Sequence, residues 1–137
     1  MARVFVDRRE LPEDLQALLE AGLAPECTPP LDIIETATGI EILMDVPGIA
    51  ADAIEIVLAR NVLLITGRKL PRASEDGNVA FHVAERAFGR FGRAITLDGA
   101  VDTAAATATL TAGELRLVLP RQPERRGLPI RIPVRTS

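Results

Sequence analysis

Through most of residues 31–119 apolar side chains recur at every second position, a period that only an amphipathic β-strand satisfies. Ile33 to Ala37 reads as a short strand. Ile40, Ile42, Met44 and Val46 alternate with Glu41 and Asp45 until Pro47-Gly48 turns the chain. Ile54, Ile56 and Leu58 form the next apolar row, and Arg60-Asn61 leads into Val62–Thr66, which is apolar on both faces and therefore expected in the middle of a sheet, ending at Gly67. Residues 68–78 are polar and read as a long exposed loop. Val79, Phe81 and Val83 alternate again; Phe91, Ile95 and Leu97 follow Gly89; an Ala/Thr strand from Ala104 to Leu110 turns at Gly113 into Leu115, Leu117 and Leu119. Many short strands separated by turn signals predict an all-β sandwich.

The period differs before residue 31. Leu11, Leu15, Leu18 and Leu19 fall on one face of a short helix, with Pro12 at its start, Glu13 and Asp14 at the positive end of its dipole, and Gly22 as its stop. A helix of about ten residues is marginal alone in water, so its leucines need a surface to bury against. That surface is either this chain's own domain, or another subunit or bound protein. Residues 24–30 contain three prolines and form a linker. The chain divides into an N-terminal arm (1–30), a β-domain (31–121) and a C-terminal tail (122–137).

Composition removes several classes of function. A net charge of -3 argues against nucleic acid as the main partner. With no Trp or Tyr and four Phe, the chain is poorly equipped to stack bases or sugars. The single cysteine, Cys27, excludes an intrachain disulfide and a cysteine-based zinc site, and fits a reducing cytosol. No apolar run reaches membrane-spanning length, so the expected location is cytoplasmic, with no membrane partner. His82, the only histidine, has no Ser, Cys or Asp frame around it and reads as a strand residue. No phosphate-binding glycine motif, metal-ligand spacing or acid/base pair is visible; catalytic residues, cofactors and metals are expected to be none. Acidic residues gather in 10–30 and arginines in 120–137: either both ends are simply solvated, or they attract each other between subunits.

Five segments, in order, resemble one family. Ala108-Thr-Leu110-Thr-Ala112-Gly113-Glu114-Leu115-Arg-Leu117-Val-Leu119-Pro120-Arg121 resembles the alpha-crystallin signature A-x-L-x-N-G-V-L-x-L-x-x-P-K, with Ala112 in place of Asn and Glu114 in place of Val. Alanine tolerates positive φ less well than asparagine, so a different hairpin turn is expected there. Asp45-Val46-Pro47-Gly48 resembles the family's D-x-P-G, and Asn61 to Arg68 its x-x-L-x-I-x-G-x stretch. Glu85-Arg86-Ala87-Phe88-Gly89-Arg90-Phe91-Gly92-Arg93-Ala94-Ile95-Thr96-Leu97 is similar to E-R-x-[FY]-G-x-F-x-R-x-[FI]-x-L of bacterial members, and Leu128 to Pro133 to the Ile-x-Ile tail motif. The chain is identified by this resemblance as a bacterial-type small heat-shock protein: an immunoglobulin-like alpha-crystallin β-sandwich with a short helical arm and an extended tail.

The tail has a physical reading of its own. Ile130 and Ile132, two residues apart, point the same way from an extended chain while Arg131 points opposite, and Pro129 and Pro133 keep the segment out of a sheet interior. Either these isoleucines cover their own domain's core, or they fill a groove on another subunit. The resemblance implies the second, with a groove lined by Ile54 and Ile56 on one side and Ala106, Ala108 and Leu110 on the other. It also implies a dimer interface at Phe81, Val83, Glu85 and Arg93, with residues 79–86 as a strand exchanged between partners. Arg93 shares parity with Phe91, Ile95 and Leu97, so its charge needs a carboxylate or water; Glu85 and Asp76 are the candidates.

The function implied is ATP-independent holding of unfolding client proteins. The chain would assemble through dimers into homo-oligomers, hand clients to ATP-dependent chaperones, and bind clients through the leucines at 11, 15, 18 and 19 and through the groove. A monomeric co-chaperone sandwich would need neither Ile130 and Ile132 nor the long loop. An enzyme or carbohydrate-binding sandwich is opposed by the missing Trp and Tyr and the single His.

Overall fold

The computed structural model describes residues 13, 17, 26–59, 61–71, 77–121 and 130–137. Among these residues nine strands lie in two sheets: β1 (Leu31–Glu35), β2 (Gly39–Asp45), β3 (Ile54–Ala59), β4 (Val62–Lys69), β5 (Gly89–Thr96), β6 (Thr107–Thr111), β7 (Glu114–Pro120), β8 (Ile130–Arg131) and β9 (Val134–Thr136). One sheet runs β1-β2-β7-β6-β9 and the other β5-β4-β3-β8. All pairings are antiparallel except β6 with β9, which is parallel. The inward rows read from the sequence pack between the sheets: Ile42, Met44, Ile65, Ile95, Leu115, Leu117 and Leu119 are all sealed from solvent, around the buried Phe91 ring. No polar side chain is buried among the described residues, so this core is held by apolar burial and close packing.

β4 lies between β3 and β5, as its two apolar faces require. Gly67 does not end it. The strand continues to Lys69, and Gly67 pairs with Phe91 across the ladder where any Cβ would strike the phenylalanine ring. The Ala/Thr strand begins at Thr107 rather than Ala104. Ahead of it the Asp102 carboxylate accepts hydrogen bonds from the backbone N–H groups of Ala104 (3.0 Å) and Ala105 (3.3 Å), a turn that competes with the ladder.

The hairpin between β6 and β7 corrects the expectation of a different turn. Thr111 pairs with Glu114 across a two-residue loop in which Ala112 has φ 50° and Gly113 φ 79°. Both central residues are left-handed, the type I′ pattern, and alanine holds it in spite of its Cβ. The surroundings enforce it: Val46 N–H donates to the Gly113 carbonyl at 2.7 Å, and a Cβ on Gly113 would come within 3.1 Å of Pro47.

Residues 26–30 of the proline-rich linker are irregular but tied down. Glu26 N–H donates to the Arg90 carbonyl at 2.9 Å, and Asp45 N–H to the Pro30 carbonyl at 3.0 Å. The linker thus crosses from the β5 edge of one sheet to β2 of the other. Cys27 is buried there, its Sγ 3.4 Å from the Gly89 carbonyl, and burial pushes the thiol above its ordinary pKa.

Candidate binding edges of the sandwich

Between β3 and β6 the two sheets leave an apolar slot. Ile54 and Ile56 form one wall, with Ala108 and Leu110 opposite and Ala106 packed against them. The groove residues read from the sequence are thus brought together, because inward parity on β3 and on β6 aims all of them at the gap between sheets. The tail of the same chain fills the slot. Ile130 pairs with Leu58 and Arg131 with Val57, after which Ile132 N–H donates to the Ile56 carbonyl at 3.0 Å. Ile132 is buried at 5% exposure and Ile130 half-buried, while Arg131 points outward and its Nε donates to Glu55 at 2.6 Å. Both members of that ion pair are largely exposed, so it contributes at most about 1 kcal/mol.

One part of the site went unread. Val134 continues the parity of Ile130 and Ile132 beyond Pro133, and Val134–Thr136 pairs with Ala108–Leu110 as β9. The tail therefore lies across both sheet edges, β3 through β8 and β6 through β9. The signal was present in the spacing 130, 132, 134, but the proline immediately before Val134 reads as the end of any strand.

Residues 79–83 are arranged in the opposite way. Val79, Phe81 and Val83 are 55%, 79% and 71% exposed, and residues 78–88 form no strand. The alternation is that of a strand, but a ladder needs a second backbone, and none lies beside this one among the described residues. Arg93 is part-buried, and its Nη1 donates to the Pro29 carbonyl at 3.1 Å; partial burial lowers the pKa of its guanidinium. No ion pair joins Arg93 to Glu85 among the described residues, and Asp76 lies outside them. Leu11, Leu15, Leu18 and Leu19 also lie outside the described residues, although Glu13 and Ala17 between them are helical and exposed.

Among the described residues no group of His, Cys, Asp and Glu could hold a metal ion, and no helix is long and apolar enough to cross a membrane.

The comparisons with known proteins agree with this architecture. The model of the Hsp20/alpha crystallin family matches residues 32–135. The chloroplastic 22 kDa heat shock protein of Chlamydomonas reinhardtii is 34% identical over 116 residues, covering 83% of this chain and 74% of that protein. A small heat shock protein of Rickettsia felis is 30% identical over 105 residues, covering 77% of this chain and 64% of its own length. Among solved structures, hspA from Xanthomonas axonopodis superposes with a TM-score of 0.59 at 30% identity, over 71% of this chain and 96% of that one. The matched span takes in both sheets, the slot between β3 and β6, and the isoleucines that fill it, and the chain belongs to the Hsp20/alpha-crystallin family of small heat-shock proteins.

Proposed function

We propose that this protein is a cytoplasmic, ATP-independent chaperone that holds unfolding proteins by their exposed apolar surface and slows their aggregation. Assembly proceeds from dimers to larger homo-oligomers through the tail, and held clients pass to ATP-dependent chaperones. The observation that carries the reading is the way the tail is seated. Ile132 is buried in a slot of the fold, yet among the described residues two short strands and one exposed ion pair are what tie the tail backbone there. One buried and one half-buried isoleucine give roughly 2–4 kcal/mol gross. Ordering each tail residue costs on the order of 1–2 kcal/mol. A single docking event is therefore weak, and the slot reopens readily.

Residues 122–129, between Arg121 and Ile130, reach on the order of 30 Å when extended. Such a tail can seat on its own slot or on a neighbour's, and many weak exchanges of this kind hold an assembly that still opens. An open slot presents Ile54, Ile56, Ala106, Ala108 and Leu110 to a client. The exposed row Val79, Phe81 and Val83 fits the second exchange: placed beside a partner's sheet edge, it gains both a ladder and cover for its apolar side chains, with Glu85 and Arg93 at the same interface. The leucines of the arm form the other client surface.

The test uses the full chain and a heat-destabilised protein as client. Substoichiometric protection from aggregation without ATP is expected. Deleting residues 128–134 is expected to shift the mass in light scattering towards dimers, and an unchanged mass would refute the tail's part in assembly.

A further inference from the structure

The two isoleucines that fill the slot carry no mark of whose tail they belong to. Apolar burial is non-directional, and the hydrogen bond from Ile132 N–H to the Ile56 carbonyl joins backbone to backbone. Neither contact distinguishes one Ile-x-Ile tail from another. The residue between the isoleucines meets different chemistry. Arg131 faces outward, and its register partner on β3 is the buried, apolar Val57. Side chains alternate along a strand, so Glu55, two residues back, stands on the same outer face of β3 as Val57. Arg131 Nε donates to the Glu55 carboxylate at 2.6 Å. Among the described residues this contact is where the rim of the slot meets a charge on the tail.

We infer that Glu55 is the residue by which the sandwich selects among tails. It favours an Ile-x-Ile segment whose middle residue is basic and disfavours one whose middle residue is acidic. The inference deepens the reading of assembly through the tail and rests on it. With side chains 68% and 42% exposed, the pair adds no more than about fivefold to the affinity of one tail. Selection depends on the difference between partners, and two like charges in the same place repel by a similar amount. Basic and acidic middle residues therefore differ by about tenfold per tail. Where several tails hold an assembly at once the factors multiply, and two tails discriminate by about a hundredfold. The isoleucines supply the contact, and the charge between them decides which chains share it.

Amide exchange at Ile132 in the full chain tests this directly, because that N–H is bonded while the tail is seated and free when it leaves. Arg131→Glu and Glu55→Arg are each expected to speed exchange by about tenfold at low salt. Arg131→Lys keeps the charge and should stay within about threefold of the unaltered chain, as should the double variant Glu55→Arg with Arg131→Glu. In about 1 M salt the effect of either charge reversal should fall below threefold, since an exposed pair is screened. An equal mixture of Glu55→Arg chains and Arg131→Glu chains should regain the protection each lacks alone, because every tail then finds the opposite charge on the other chain. Charge reversals that exchange like the unaltered chain, a double variant as fast as the singles, or a mixture that stays unprotected overturns the inference. Deleting residues 128–134 separates the two readings. A mass that shifts on deletion while the charge variants exchange alike removes selection by Glu55 and leaves assembly through the tail in place. Charge rescue with a mass indifferent to deletion upholds the selection and removes the assembly reading.

Discussion

The tail around Ile132 and the stripe around Phe81 are written in the same code, a few apolar residues two apart, yet Ile132 is buried and Phe81 is 79% exposed. Their hydrophobicity does not explain the difference. The tail meets an edge its own fold leaves free, since β3 and β6 both border the open side of the sandwich, and a pair of isoleucines completes the core there. The stripe has no such edge among the described residues, so its backbone and side chains are left to water. Alternation thus marks a segment as capable of joining a sheet. Whether it joins one within a single chain depends on which edges the other strands have left open.

The widest break in the comparison comes from the shared slot. Ile56 both packs in the core and receives the tail through its carbonyl, so Ile56→Ala is expected to cost about 2–5 kcal/mol in urea unfolding and to release the tail together with it. A loss under 0.5 kcal/mol would show that the slot wall is not part of the core. Phe81→Ser comes next and should act on association alone. Chain stability should stay within about 0.5 kcal/mol, because an exposed side chain contributes little to one chain. The dimer should weaken at least tenfold in sedimentation, about 1.4 kcal/mol; equal dimer strength would deny the stripe any interface.

Smaller still is the effect of repairing the edge that receives β9. Ala112→Asn removes part of the cost of the left-handed conformation beside β6 and should stabilise the chain by about 0.5–1 kcal/mol. A melt unchanged or lowered would show that Pro47 and Val46 alone decide that turn. The smallest effect lies away from both segments and serves as their control. On β2 and β7, Arg116 Nε donates to Glu41 at 2.5 Å, and this hydrogen bond lowers the Glu41 carboxyl pKa. A depressed folded-state pKa adds stability above the unfolded value and loses it as pH falls through the folded one. Glu41→Gln should therefore flatten the acid limb of the stability curve slightly, with no change in mass at neutral pH. A change in assembly would connect this pair to the edges after all.

Most of the architecture is legible in the sequence because a half-buried strand must alternate. The rows Ile40–Met44, Ile54–Leu58 and Leu115–Leu119 could be assigned without coordinates, as could the central place of Val62–Ile65. The walls of the slot follow from the same parity once the strands are paired. Local chemistry was less informative. Ala112 reads as a residue that avoids positive φ and adopts it, at a cost of about 1–2 kcal/mol, in a hairpin whose next residue, Gly113, is held by a hydrogen bond from Val46, distant in sequence. Gly67 reads as a stop and continues the strand, because the ring of Phe91 occupies the space a Cβ would need.

By itself the sequence determined which residues face inward, that the elements are strands, and that two isoleucines, proline-flanked, would travel together. The tertiary structure decided where they travel to. It places them on the chain's own slot, extends the contact through Val134–Thr136, and leaves Phe81 exposed with no strand beside it among the described residues. Parity is a property of neighbouring residues and can be read along the chain, whereas a free sheet edge exists only after every other strand has been paired.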